Sequence, residues 1–109
     1  MGATACESDA PGHRDRSSYR LNRAAVEIAA FQQLMNDLYG PQDRERGIPA
    51  TVAWLCEELG ELAQAVRKGD DAERLHELGD VLAWLASLAN QLDLSLEEAA
   101  LRYRDDPPR

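Results

Sequence analysis

The chain has 109 residues, a formal net charge of −8 and two cysteines. That length bounds it to one small domain, in which a single copy buries only a modest share of its surface. The acidic balance argues against stable nucleic-acid binding through a basic surface, no apolar run is long enough to span a bilayer, and the isolated Cys6 and Cys56 form no disulfide framework or zinc motif, which fits a reduced, cytoplasmic setting.

Residues 1–18 mix Gly, Pro and Ser with charges and read as a disordered tail. From about Tyr19 to Tyr39, apolar residues recur at three- and four-residue steps (Leu21, Ala24, Ile28, Phe31, Met35, Leu38), the period of an amphipathic helix. Gly40-Pro41 is expected to end that helix, leaving Gln42 to Ile48, with Asp43, Arg44, Glu45 and Arg46, as a loop. Pro49 suits the first turn of a second helix, which runs to about Lys68 on the stripe Leu55, Leu59, Leu62 and Val66. Gly69 breaks the chain, and Asp70 with Glu73 makes a capping box for a third helix from about Ala72 to Leu92. Its stripe is Leu75, Leu78, Leu82, Leu85 and Ala89. Ser95 with Glu98 opens a shorter helix to about Tyr103, and residues 105–109 read as a tail. No strand-like alternation occurs, so the expected class is all-α: an antiparallel helical bundle over residues 19–104.

The informative feature is a near-repeat, Glu58-Leu59-Gly60-Glu61 and Glu77-Leu78-Gly79-Asp80. Folding the chain about Gly69 sets Glu61 opposite Glu77, Glu58 opposite Asp80 and Trp54 opposite Trp84. With Leu55 and Leu78 taken as the core centres and about 100° per residue, Trp54, Glu58 and Glu61 share one flank of the second helix, and Glu77, Asp80 and Trp84 share one flank of the third. Glu57 falls further round, beside Glu61. Carboxylates facing one another across two helices repel unless a cation holds them, and Mg²⁺ takes such oxygen ligands while keeping water. Gly60 and Gly79 each cost about 1 kcal/mol against Ala inside a helix, which predicts that a backbone or a ligand comes close to them.

Glu57-Glu58-Leu59-Gly60-Glu61, fifteen intervening residues and Glu77-Leu78-Gly79-Asp80 resemble the EExxE…ExxD motif of the MazG-like, all-α nucleotide pyrophosphohydrolases. The resemblance covers about Phe31 to Ala99. It implies Mg²⁺ (Mn²⁺ as a substitute) on Glu58, Glu61, Glu77 and Asp80. It also implies catalytic roles for Glu57 and Glu61, with Glu57 either orienting the attacking water or holding a second metal, and hydrolysis of a nucleoside triphosphate to monophosphate and pyrophosphate. Trp54 and Trp84 beside the acids are candidates to hold the base, and Arg67 and Lys68 near the hairpin turn are candidates to reach phosphate. Core packing and helix C-terminal charge are the respective ordinary roles of these residues. Asn90 and Gln91 could read a base edge or simply be polar surface. Leucine stripes left uncovered in one copy predict a homodimer or homotetramer.

Other readings have weaker support. A di-iron bundle needs two Glu-x-x-His motifs. The chain offers one, Glu73 to His76, with His76 placed roughly opposite Glu77 on its helix. Phosphoribosyl-ATP or dUTP pyrophosphohydrolase chemistry would use the same acids. A non-enzymatic helical dimerisation or regulatory module explains the stripes and the charge, but not two acidic turns that face each other.

Overall fold

The computed structural model describes residues 25–109. The tail read over residues 1–18, Cys6, and the early helix positions Leu21 and Ala24 lie outside the described residues. Four helices follow in order: α1 (Ile28–Arg46), α2 (Ile48–Lys68), α3 (Asp71–Leu92) and α4 (Leu96–Asp105), with no strand among the described residues. The protein is all-α. No described helix is long and apolar enough to cross a membrane.

The α2–α3 hairpin follows the expected chemistry. Gly69 closes α2 by donating its N–H to the Ala65 carbonyl at 2.8 Å. A Cβ there would sit 2.8 Å from Glu73 Oε1 and 2.9 Å from the Ala65 oxygen, so only glycine fits. Asp70 and Glu73 form the reciprocal capping box, each side chain accepting from the other's backbone N–H at 2.9 Å. Arg74 then reaches back across the turn, donating to the carbonyls of Ala65 and Val66 at the end of α2.

The first helix departs from expectation. Gly40-Pro41 does not end α1, which starts later, after the cap residue Glu27, and runs on to Arg46. Proline removes one N–H donor, a loss that a helix tolerates when neighbours compensate. Separately, Arg44 donates to Asn36 Oδ1 at 2.8 Å, and these two side chains arch over the buried Gly40. The true stop is Gly47 at φ 92°, a region that favours glycine. The segment expected as a loop is thus helical up to Arg46, and α4 likewise extends two residues past its expected end, to Asp105.

Burial also differs from expectation. The buried apolar residues are small: Ala83 and Ala86 of α3 pack against Met35 of α1, with Phe31, Tyr39 and Leu96 alongside. Neither Leu55 nor Leu78 is a core centre; Leu55 is half-buried and Leu78 is 53% exposed. Leu59, Val66, Leu75, Leu82 and Leu85 are exposed as well. The reason is steric. Alanines let α1 approach α3 closely, which turns the leucine face of the hairpin away from α1.

Polar side chains tie α1 to the end of α3. Gln32 donates to Asn90 Oδ1 and the Leu94 carbonyl and accepts from the Leu96 N–H, and Asn90 donates back to the Gln32 carbonyl. Gln91 donates to Thr51 Oγ1 at 2.8 Å. Asn90 and Gln91 are therefore structural ties between elements.

Candidate functional site

The acidic turns of α2 and α3 do face each other. Glu58, Glu61 and Glu77 each offer a carboxylate oxygen, and these oxygens all lie within 4.8 Å of one another. Asp80 joins through a second group, with Glu77 and His76. His76 Nε2 lies 3.3 Å from Asp80 Oδ2. The expectation that His76 points away from Glu77 is therefore incorrect. Residues four apart on a helix share a face, so His76 lies over Asp80, and Glu77 between them completes the group. Glu57 is exposed and belongs to neither group.

The electrostatics of the cluster are unfavourable as they stand. Burial, then the charges of Glu61, Asp80, Glu77 and Glu57, hold the Glu58 carboxyl above its ordinary value of 4.5. Burial, then Glu61 and Asp80, raise Glu77 in the same way, with His76 working in the opposite sense. Glu58 Oε1 and Glu77 Oε1 are buried with no hydrogen-bond partner among the described residues. Buried acceptors without donors are costly. A divalent cation would answer both conditions, since it would take the bare oxygens as ligands and offset the repulsion. The residues present therefore fit a hard, oxygen-preferring metal ion such as Mg²⁺.

A cavity opens on each side of this cluster. One, of about 420 Å³, is lined by Arg46, Trp54, Glu58, Asp80 and Trp84. In it Trp54 and Trp84 stack with ring centroids 6.1 Å apart. Trp54 is 46% exposed and so is not packed in the core, while Trp84 is half-buried. The other, of about 570 Å³, lies toward the hairpin turn and brings Lys68 together with Glu61, Glu73, His76 and Glu77. Arg67 is exposed and lines neither cavity.

The sequence model of the MazG nucleotide pyrophosphohydrolase domain matches residues 46–105, which contain both acidic turns and both tryptophans. The chain belongs to the MazG nucleotide pyrophosphohydrolase family. The MazG region is also similar to the uncharacterized protein YpjD of Bacillus subtilis (strain 168), at 52% identity over 60 residues. That alignment takes in 46% of this chain and 54% of YpjD, so the chain spans about half the length of this relative.

Two features of this MazG domain were not visible in the sequence. Arg46 lies over the Trp84 ring, 4.7 Å from its centroid, and Asp43 beneath it is 1% exposed. Reading residues 42–48 as a loop hid them. The available signal was their i, i+3 spacing, which brings side chains together only if the helix continues past Pro41. Gly60 and Gly79 point the other way: a Cβ on either would meet nothing within 4 Å. The expected close approach of a neighbouring backbone does not occur within the described residues.

Proposed function

We propose that this MazG domain is a Mg²⁺-dependent nucleoside triphosphate pyrophosphohydrolase, releasing monophosphate and pyrophosphate, with Mn²⁺ as a substitute ion and a cytoplasmic role in clearing unwanted nucleotides. One observation carries the reading: Glu58, Glu61 and Glu77 converge within 4.8 Å, with bare buried oxygens, beside a cavity walled by stacked tryptophans. Glu58, Glu61, Glu77 and Asp80 would hold the ion. Bound there, it supplies charge neutralisation at phosphate oxygens as the anhydride breaks.

The remaining steps belong to the chain's own groups. Trp54 and Trp84 present a flat apolar surface on which any base can stack. Glu61 lines the turn-side cavity and can orient a water molecule and take its proton. Glu57, exposed one residue before Glu58, is a weaker alternative for that proton. The water oxygen attacks the α-phosphorus, the α–β phosphoanhydride bond breaks, and pyrophosphate leaves. Lys68 shares the cavity with Glu61 and can meet phosphate, whereas Arg67 has no comparable placement.

The exposed leucines of α2 and α3 support assembly as a homodimer or homotetramer, since an apolar face of this kind on a small domain favours self-association. The test of function is pyrophosphate release from ribo- and deoxyribonucleoside triphosphates, with dUTP and phosphoribosyl-ATP included, in Mg²⁺ and in EDTA. Turnover that needs Mg²⁺ and is lost in Glu61→Gln supports the reading. No turnover across the panel, with no effect of Mg²⁺ on melting, would transfer support to a non-catalytic helical module.

A further inference from the structure

Asp43 is the outlier among the acids of this chain. It is 1% exposed in the last turns of α1, and it lies 2.9 Å from Arg46 Nη1 through its Oδ1. The contact is an ion pair rather than a well-aligned hydrogen bond, because neither carboxylate oxygen of Asp43 has a hydrogen-bond partner among the described residues. Burying a carboxylate without a partner is costly, and Arg46 is the cation beside it.

Arg46 is held at two further points. Its Nη1 donates to Thr51 Oγ1 at 3.1 Å, and its guanidinium carbon stands 4.7 Å over Trp84. Thr51, 0% exposed, is itself fixed by its own bond to the Gly47 carbonyl and by Gln91. Nη1 thus meets Asp43 and Thr51, while Nε and Nη2 make no hydrogen bond among the described residues. Arg46 also lines the same cavity as Glu58 and Asp80, yet its ion pair is with Asp43 and with neither of them. An arginine at a helix C-terminus ordinarily points to solvent and serves the dipole. This one points inward, at 24% side-chain exposure, into the cavity it shares with Glu58 and Asp80.

We infer that Asp43 is a positioning residue and Arg46 a substrate-binding residue. Asp43 and Thr51 tether the guanidinium against Trp84, so that its free N–H donors meet acceptor oxygens of a nucleotide lying on the tryptophans. The same tether keeps the cation from collapsing onto Glu58 and Asp80, where it would compete with the metal ion. This rests on the nucleotide-hydrolysing function proposed above. It adds two residues to the site and gives the buried charge of Asp43 a purpose.

The experiment pairs Asp43→Asn with the double variant Asp43→Asn/Arg46→Gln and reads Mg²⁺ binding by calorimetry on nucleotide-free protein. With the tether cut, Arg46 is released toward the acids, and Asp43→Asn should bind Mg²⁺ about tenfold more weakly, the scale of a lost supporting contact at a metal site. Removing the arginine as well should restore Mg²⁺ affinity to the wild-type value. Both variants should show raised KM for dATP, dGTP, dCTP and dTTP with kcat little changed at saturating Mg²⁺. Wild-type Mg²⁺ affinity in a folded Asp43→Asn, or equal weakness in the single and double variants, would overturn the inference. If Asp43→Asn does not fold, the double variant decides alone: wild-type Mg²⁺ affinity with raised KM supports the tether, and wild-type KM overturns it. A wild type that neither binds Mg²⁺ nor turns over any triphosphate would overturn the function itself, a result distinct from an active wild type matched by its variants.

Discussion

Trp54 on α2 and Trp84 on α3 stack with their planes 17° apart, and they lie at equal distances in sequence from Gly69. The pair therefore reports the register of the hairpin. If this register holds, Glu58, Glu61 and Glu77 converge; a slip of one residue would rotate one acidic turn out of reach of the other, since each step turns a helix by about 100°.

Trp54 is half-exposed and contributes little to the core, so Trp54→Ala should leave the melting temperature nearly unchanged. Its loss should instead raise KM for nucleoside triphosphates by roughly tenfold, because stacking of a base on an aromatic ring is worth about 1–3 kcal/mol. Steady-state kinetics beside a thermal melt check this. A large fall in melting temperature with unchanged KM would assign Trp54 to the fold.

The cluster should make the metal-free protein sensitive to pH. Glu58 and Glu77 titrate above their ordinary value of 4.5 in the folded chain, so the folded state binds their protons more tightly than the unfolded one. Their contribution to stability is full below 4.5 and is lost as pH rises through the elevated folded values. In EDTA the melting temperature should therefore fall as pH is raised from 4.5 toward neutrality, and saturating Mg²⁺ should flatten the slope. A flat profile in EDTA would contradict the proposed repulsion.

Neutralising one member of the cluster should separate stability from activity. Glu58→Gln removes both a buried charge and its repulsion with Glu61, Asp80 and Glu77. The metal-free variant should melt higher than wild type, by several degrees if the relief is about 1 kcal/mol. It should gain little from added Mg²⁺ and lose most turnover. Parallel melts with and without the ion distinguish this from a simple loss of structure.

Two glycines should respond in opposite directions. Gly47→Ala places a side chain at φ 92° and ψ 160°, a region essentially reserved for glycine, and should cost about 1–3 kcal/mol. Gly60→Ala adds a methyl group in open space within α2 and should stabilise the domain by up to about 1 kcal/mol through helix propensity. Denaturant midpoints at low protein concentration measure both changes.

Leu78→Glu should leave the fold of a single copy intact, because Leu78 is 53% exposed and away from the Met35–Ala86 core. Light scattering after size exclusion should show it shifted to a smaller species than wild type. A wild type that is already monomeric at high concentration would count against assembly through the leucine face.

The sequence by itself determined the two helices of the hairpin, their turn and the meeting of the acids. Helical periodicity, the Asp70/Glu73 cap and the break at Gly69 are local rules, and once two antiparallel helices join at a known residue, the partners of Glu61 and Trp54 follow from counting. Only the tertiary structure decided which face of each helix is buried. The leucines of α2 and α3 are the most apolar residues there, yet Ala83 and Ala86 carry the contact with α1 because small side chains permit close approach. The structure also carries α1 through Pro41 to Arg46, against the local signal of Gly40-Pro41. That continuation brings Asp43 under Arg46 and Arg46 over Trp84, a relation between elements that no local pattern of hydropathy records.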